Sequence, residues 1–243
     1  MRNSERLWHL AHRYGLGSSF TGVWVEDREI PETVRLLGAD STTGVDCSWG
    51  ELIREGQAGD EQGFIWAGRL NSRWTQFIIV GLETFVALPK LSEWNKRALL
   101  ISWHMNSSGT LLYARDGNYA TILDITRPDE RLGIEPNALD RYSEGLIFDA
   151  QDMSWENDPD LPAGWLDYCH WEDSRLEAGA SDDDYDNMPS EWSEFLELAL
   201  DGYSPMEASC ITSAFVLVGR IVGQEWDEAW MAGVHTRFTL TGH

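Results

Sequence analysis

The spacing of apolar and polar positions changes along the first forty residues. Residues 4–14 carry an apolar side chain at every third or fourth position, which predicts a short amphipathic helix. Residues 21–25 are mainly β-branched and aromatic, which predicts a strand. Residues 30–38 have proline in a first helical turn and glycine just past a helix end, so they predict a second short helix.

A run of strand-like segments follows. Five segments rich in aromatic and β-branched residues predict strands: 64–70, 73–80, 99–105, 110–114 and 119–125. Asn71-Ser72 separates the first two, and Asp116-Gly117-Asn118 the last two, so both pairs predict tight hairpins. The last three strands predict an antiparallel meander, and residues 88–96 predict a helix packed on the sheet.

The C-terminal part has a helical period. Residues 190–201 place apolar side chains on one face, and Gly202 ends that pattern. Ser204 and Glu207 then form a capping box that opens an apolar helix ending at Gly223. The sequence therefore predicts an α+β fold, an antiparallel sheet with helices on one face plus C-terminal helices. The predicted parts are a sheet domain at 1–150, an acidic connection or insertion at 151–189 and a helical part at 190–243.

The net charge of the chain restricts the classes of molecule that it is expected to bind. The 243 residues include 41 acids and 18 bases, a formal net charge of −23. Such a chain repels nucleic-acid phosphates, so ordinary nucleic-acid binding is not expected. Residues 151–201 contain 16 of the acids and only one base, Arg175, which concentrates much of the net charge in about a fifth of the chain.

The cysteines and the apolar runs favour a cytoplasmic location. Three cysteines lie far apart, with no Cys-x-x-Cys pair, which is typical of free thiols in a reducing compartment. The first residues have no apolar stretch of the kind found in secretory signals. The longest aliphatic or aromatic runs have four residues, whereas a membrane span needs about 20, so no membrane association is expected.

Several short motifs follow one another in a fixed order along the chain. The order is a strand, a helix that ends in Leu-Ser, a strand with aromatic residues, and a turn that contains Asp-Gly. The motifs are Leu91-Ser92, Trp103 with Asn106, and Tyr113-Ala114-Arg115-Asp116-Gly117. In this order they resemble an actinobacterial family of uncharacterised proteins, a domain of unknown function. The resemblance covers about residues 20–145 and 204–232, and the acidic segment between them departs from it. It implies a bacterial cytoplasmic setting and no catalytic residues.

Tryptophan is the second unusual feature of the acidic segment. The chain has 13 tryptophans, and four lie in or beside this segment. Carboxylates beside exposed indole rings receive Lys and Arg side chains through ion pairs and cation–π contacts. The sequence thus predicts a non-catalytic interaction protein, of immunity, antitoxin or inhibitor type, with a basic protein as partner. The predicted partner-binding residues are Asp182, Asp183, Asp184, Asp186, Trp155, Trp165, Trp171 and Trp192. Alternatively, the four tryptophans anchor the segment onto the core.

Two short motifs in the acidic segment match a calcium loop and a Cys-His nucleophile pair only in part. The aspartates of residues 182–186 match the first positions of a calcium loop, but Asn187 stands where that loop needs glycine. Cys169 and His170 are adjacent, so their side chains diverge and do not form a nucleophile–base pair. The sequence therefore predicts no metal site, no cofactor and no catalytic residue.

The sequence is also compatible with a second class of function. An enzyme or small-ligand binder would have a pocket between the sheet and the C-terminal helices. The residues predicted to line that pocket are Trp103, His104, Arg115 and Asp116. Trp103 and His104 alternate along one strand, and we expect Trp103 to face the core and His104 to face outward. A third hypothesis has the acidic segment mimic DNA for a nucleic-acid-binding protein.

Overall fold

The computed structural model describes residues 3–56, 63–81, 87–104, 107–149, 156–157, 161–179, 185, 188–200 and 204–241. Nine strands of this part form one antiparallel sheet. They are β1 Ser19–Glu26, β2 Val45–Ser48, β3 Phe64–Arg69, β4 Trp74–Val80, β5 Arg97–His104, β6 Ser107–Arg115, β7 Asn118–Asp124, β8 Arg127–Leu132 and β9 Val234–Thr239.

Nine α-helices accompany the sheet within the described residues. They are α1 Arg6–Arg13, α2 Ile30–Leu36, α3 Trp49–Gly56, α4 Leu88–Leu91, α5 Asp140–Ser143, α6 Trp165–Glu177, α7 Ser193–Leu200, α8 Pro205–Val222 and α9 Glu228–Met231. Two 3₁₀ turns precede α1 and α7, at Asn3–Glu5 and Ser190–Trp192.

The strand order is β2-β9-β3-β4-β1-β5-β6-β7-β8. The predicted hairpin of β3 with β4 and the predicted meander of β5, β6 and β7 are present. The C-terminal part is not only helical, because β9 returns to the sheet and pairs with both β2 and β3. The last described residues therefore belong to the sheet.

Both faces of the sheet are buried. Along β1, Phe20 and Trp24 face a larger core, while Val23 and Val25 face a smaller one, as the two-residue period of a strand requires. Helices α1, α6 and α8 complete the larger core, and the short helices α2 and α4 cover the smaller. The predicted α+β class is confirmed, with α2 and α4 as an addition on the second face.

Helix α8 is the central element of the larger core. The Ser204 hydroxyl accepts the Glu207 N–H, and Gly223 ends the helix at a φ of +80°, as the capping signals predict. Among the described residues, α8 alone is long and apolar enough to cross a membrane. In this fold 83% of it is buried against the protein's own sheet and helices.

The helix predicted at residues 88–96 is only the single turn α4. Trp94 and Asn95 have φ values of +67° and +59°, which a right-handed helix excludes. The turn is held from a distant part of the sequence. The Asn95 N–H donates to Asp116 Oδ1 at 3.2 Å, and the Gly117 N–H donates to Ser92 Oγ at 3.1 Å.

Candidate interaction surface

The acidic connection predicted at 151–189 contains helix α6, and α7 lies within residues 190–201, where the sequence predicts a helix. Trp165 and Tyr168 lie three positions apart on α6 and pack against Phe195 of α7. Exposed carboxylates lie on the other sides of α6 and α7 and on the 3₁₀ turn before α7. These are Asp167, Asp173, Glu177, Glu191, Glu194 and Glu197, and with the rings of Trp171 and Trp192 they form what we call the acidic surface.

The three described tryptophans of the predicted partner-binding set differ in their burial. Trp165 is 3% exposed and belongs to the larger core, so it anchors α6 and is covered by the fold. Trp171 and Trp192 are half-buried at the edge of that core, with ring centroids 6.0 Å apart. Trp171 and Trp192 are therefore partly open to solvent.

Arg175, the one base of the segment, is held inside it. Its guanidinium makes two hydrogen bonds to the Glu172 carboxylate, at 3.0 and 2.7 Å. Its Cζ lies 4.4 Å from the centroid of the Tyr185 ring and 5.8 Å from that of Trp171. The Arg175 side chain is only 8% exposed, so its charge is neutralised locally and does not offset the exposed acids.

Five residues of the predicted partner-binding set lie outside the described residues. They are Trp155, Asp182, Asp183, Asp184 and Asp186. The acidic surface as described therefore consists of residues of α6, the 3₁₀ turn Ser190–Trp192 and α7. The four aspartates enter the proposal only through the charge of the sequence.

The thiol beside this surface is not activated as a nucleophile. Burial, together with the nearby carboxylates of Asp173 and Glu156, raises the pKa of Cys169 to about 11. The thiol is therefore protonated at neutral pH, whereas nucleophilic cysteines need a lowered pKa. Within the described ranges, no three His, Cys, Asp or Glu side chains are grouped closely enough to hold a metal ion.

The alternative pocket predicted from Trp103, His104, Arg115 and Asp116 is not one site. In the β5–β6 pairing, His104 lies opposite Ser107 at one end, and Arg115 lies opposite Arg97 at the other. Seven residues of strand separate these ends, about 23 Å at the usual rise. Trp103 is buried and donates to the Gly17 carbonyl at 3.1 Å, His104 is exposed, and Arg115 is paired with Glu135.

Trp94 is a surface residue that the sequence reasoning missed. Trp94 is 81% exposed, and every other tryptophan in the described ranges is buried or half-buried. The chain's two lysines, Lys90 and Lys96, flank it. The predicted helix at 88–96 placed this ring in a regular element. The sequence shows Asp116 and Gly117 as signals of a hairpin turn, but it does not show that they contact the loop of Trp94.

No protein-family model, no curated protein and no solved structure matches this chain. The resemblance to an actinobacterial domain of unknown function stays a prediction. The function is therefore argued from the charge and geometry of the acidic surface.

Proposed function

We propose that this chain is a non-catalytic interaction protein whose acidic surface binds a basic protein partner. The observation that carries the proposal is that exposed carboxylates and two half-buried indole rings share α6, α7 and the 3₁₀ turn before α7. The described residues from 156 to 200 include eight acids and one base, Arg175, which is already paired with Glu172. Among these residues, no further Lys or Arg side chain balances the other seven carboxylates.

The contact around Arg175 supports a preference for guanidinium groups. Glu172 with the rings of Trp171 and Tyr185 surrounds this side chain with a carboxylate and two aromatic faces. Planar guanidinium groups bind carboxylates in a bidentate manner and stack on aromatic rings. The same residue types continue on the exposed side of α6 and α7, where an arginine or lysine of the partner would contact them.

The charge of the molecule favours fast encounter with such a partner. A strongly one-signed surface raises association rates by about 10- to 1000-fold at low ionic strength, because the field steers the partner. Half-buried aromatic rings then supply the apolar contact at the centre of an interface, where tryptophan is enriched. An immunity protein, antitoxin or inhibitor of a cationic protein fits this combination.

Affinity capture from a native lysate tests the proposal with two matched variants. The first, Asp173→Asn with Glu177→Gln, removes two exposed charges from the acidic surface. The second, Asp129→Asn with Glu130→Gln, removes two exposed charges on β8. We expect wild type and the β8 variant to retain the same basic protein at 50 mM NaCl and release it at 500 mM, and the α6 variant to retain much less.

Equal retention by both variants would contradict the proposal, because the net charge falls by the same amount in each. Retention of an acidic or neutral protein that 500 mM NaCl does not release would contradict it as well. Circular dichroism of both variants establishes that the comparison is between folded proteins.

A further inference from the structure

Gln76 is a polar side chain buried in the middle of the sheet. It lies on β4, paired with Trp24 of β1 on one side and Gly68 of β3 on the other. The residue is 0% exposed, and neither its amide nitrogen nor its amide oxygen has a hydrogen-bond partner in the described part of the chain. Trp74 and Ile78, two positions away on each side, belong to the larger core, so Gln76 faces that core.

The imidazole of His235 lies over the neighbouring glycine. A Cβ on Gly68 would come within 2.3 Å of His235 Nδ1, so only glycine admits this ring. His235 Nε2 lies 2.8 Å from the Trp230 carbonyl oxygen, which only accepts, so Nε2 carries the proton. Burial lowers the pKa of His235, and the neutral ring therefore leaves Nδ1 as an acceptor on the side of Gly68.

Two indole N–H groups on this face of the sheet are also unpaired among the described residues, those of Trp226 and Trp230. Trp230 stacks on His235 with centroids 4.3 Å apart. Trp226 stacks on Phe215 at 4.6 Å, and Phe215 meets the edge of Trp24, the β1 neighbour of Gln76, at 6.1 Å.

The chain path brings both indoles over the same strands. Asn71, at the β3–β4 turn, donates to the Val222 carbonyl, and Trp230 contacts Trp66 further along β3. The segment from 222 to 230 therefore runs along β3 past Gly68. We name Gln76, Gly68, Trp226, Trp230 and His235 the Gln76 site.

Buried polar groups in proteins are nearly always hydrogen-bonded, because leaving them unpaired is unfavourable. Three such side chains, those of Gln76, Trp226 and Trp230, share one layer between the sheet and the C-terminal helices, which makes this layer a candidate ligand site. Ligand sites have this composition, with aromatic walls and a few polar groups that orient the ligand.

We propose that the Gln76 site binds a small, uncharged, planar molecule with a carboxamide-type edge. The Gln76 amide offers one acceptor and two donors, the indoles offer donors and His235 Nδ1 an acceptor, so the ligand needs both hydrogen-bonding roles. All five groups are uncharged, which disfavours an ionised ligand at this depth. The two indole rings of the site favour a flat ligand. His235 is the half-buried member of the site, and the others are buried.

Benzamide is the probe, since it combines a primary carboxamide with an aromatic ring. Its binding is followed through the indole N–H resonances of Trp226 and Trp230, assigned with single Trp→Phe variants. We expect saturable shifts with a dissociation constant of about 1 mM, an ordinary value for a fragment of this size. Gln76→Met should weaken binding at least tenfold, and benzoate and toluene should bind at least tenfold more weakly than benzamide.

Thr75→Val is the matched control variant. Thr75 directly precedes Gln76 on β4 and faces the opposite core. It is 0% exposed, and its hydroxyl is unpaired among the described residues. Both variants remove an unpaired polar group, so each should raise Tm, by about 2–4 °C for every kcal/mol gained, but only Gln76→Met should lose benzamide binding.

Three results would overturn the proposal. These are the absence of saturable shifts in wild type up to 20 mM benzamide, equal affinity in Gln76→Met, and a crystal structure grown with benzamide in which only ordered water bonds the Gln76 amide. If Gln76→Met fails to fold, Gln76→Leu with the same titration decides the question.

Discussion

At the scale of single residues, Glu26 at the end of β1 is a buried charge held by two arginines. Its residue is 3% exposed, and Arg97 donates two hydrogen bonds to its carboxylate, at 2.8 and 2.6 Å, while Arg73 adds a third. Burial alone would raise the pKa of Glu26, but the hydrogen bonds and charges of Arg97 and Arg73 outweigh it and lower the pKa. Glu26 is therefore ionised in the folded protein and contributes to its stability.

Replacing Glu26 by glutamine should expose this contribution. Because the folded pKa lies below the ordinary 4.5, the stabilisation is complete above pH 4.5 and is lost as the pH falls through the folded pKa. We expect Glu26→Gln to lower the free energy of unfolding at pH 7 by about 2 kcal/mol, the usual contribution of charge-assisted hydrogen bonds. Urea unfolding from pH 7 to pH 3 should show a shallower decline than in wild type.

Glu29→Gln is the control for Glu26→Gln, because the Glu29 side chain is 80% exposed and its ion pair with Arg69 is long, at 3.6 Å. That control should change the free energy of unfolding by less than about 0.5 kcal/mol. A Glu26→Gln protein with the stability and pH dependence of wild type would refute the role of the buried carboxylate.

Trp94 combines high exposure with a backbone conformation that side chains disfavour. Left-handed φ costs a residue with a Cβ about 1–2 kcal/mol relative to glycine. We therefore expect Trp94→Gly to keep the stability of wild type or to raise it by up to about 1 kcal/mol, measured by thermal unfolding. Trp94→Ala keeps the Cβ and should show no gain. A glycine variant less stable than the alanine variant would contradict this account of the strain.

Burial along a strand could be predicted from the sequence, and burial in the irregular turn could not. The alternation of Trp103 and His104 is confirmed, since Trp103 is buried and His104 exposed. Trp94 escaped prediction because its turn depends on hydrogen bonds from residues 116 and 117, about twenty positions later. The Gln76 site escaped it because its members lie on β3, β4 and the chain after α8.

At the scale of secondary-structure elements, α6 carries a buried tryptophan, Trp165, and a half-buried one, Trp171, to which the proposed function assigns contact with the partner. Trp165→Ala should cost about 3–5 kcal/mol of unfolding free energy, as large-to-small changes of buried aromatic residues do. Trp171→Ala, at the half-buried edge, should cost less than half as much and weaken binding of the captured partner at least tenfold.

The comparison of Trp165→Ala with Trp171→Ala has a clear failing outcome. Equal loss of stability in both variants, with wild-type partner affinity retained by Trp171→Ala, would mean that both rings serve only the core. Chemical unfolding and equilibrium binding on the same preparations provide the two measurements.

Elements with local signals were predicted well, and elements that depend on distant pairing were not. The β6–β7 turn and the start of α8 follow from a few adjacent residues. Strand β9 pairs with β3 across about 170 positions of sequence, and no local pattern shows that pairing. The sequence predicts a connection where α6 lies, because the many acids of this helix obscure the short apolar stripe of Trp165 and Tyr168.

At the scale of the whole molecule, the densest negative charge and the two hydrophobic cores belong largely to different parts of the chain. The sheet buries both faces under helices, while the acids of residues 151–201 lie in a segment whose described helices pack at the edge of the larger core. A surface of one sign acts over roughly a Debye length, about 10 Å at 0.1 M salt and 3 Å at 1 M. Its effect on binding should therefore appear mainly in the association rate.

The most direct test of the proposed function is the association rate of the captured basic partner, measured by stopped flow between 20 and 500 mM NaCl. We predict at least a tenfold fall in the association rate of wild type across this range, with a smaller change in the dissociation rate. Neutralising Asp182, Asp183, Asp184 and Asp186 to asparagine should reduce the low-salt rate and flatten its salt dependence. An association rate independent of salt, or wild-type kinetics in the fourfold variant, would contradict the role of the acidic segment.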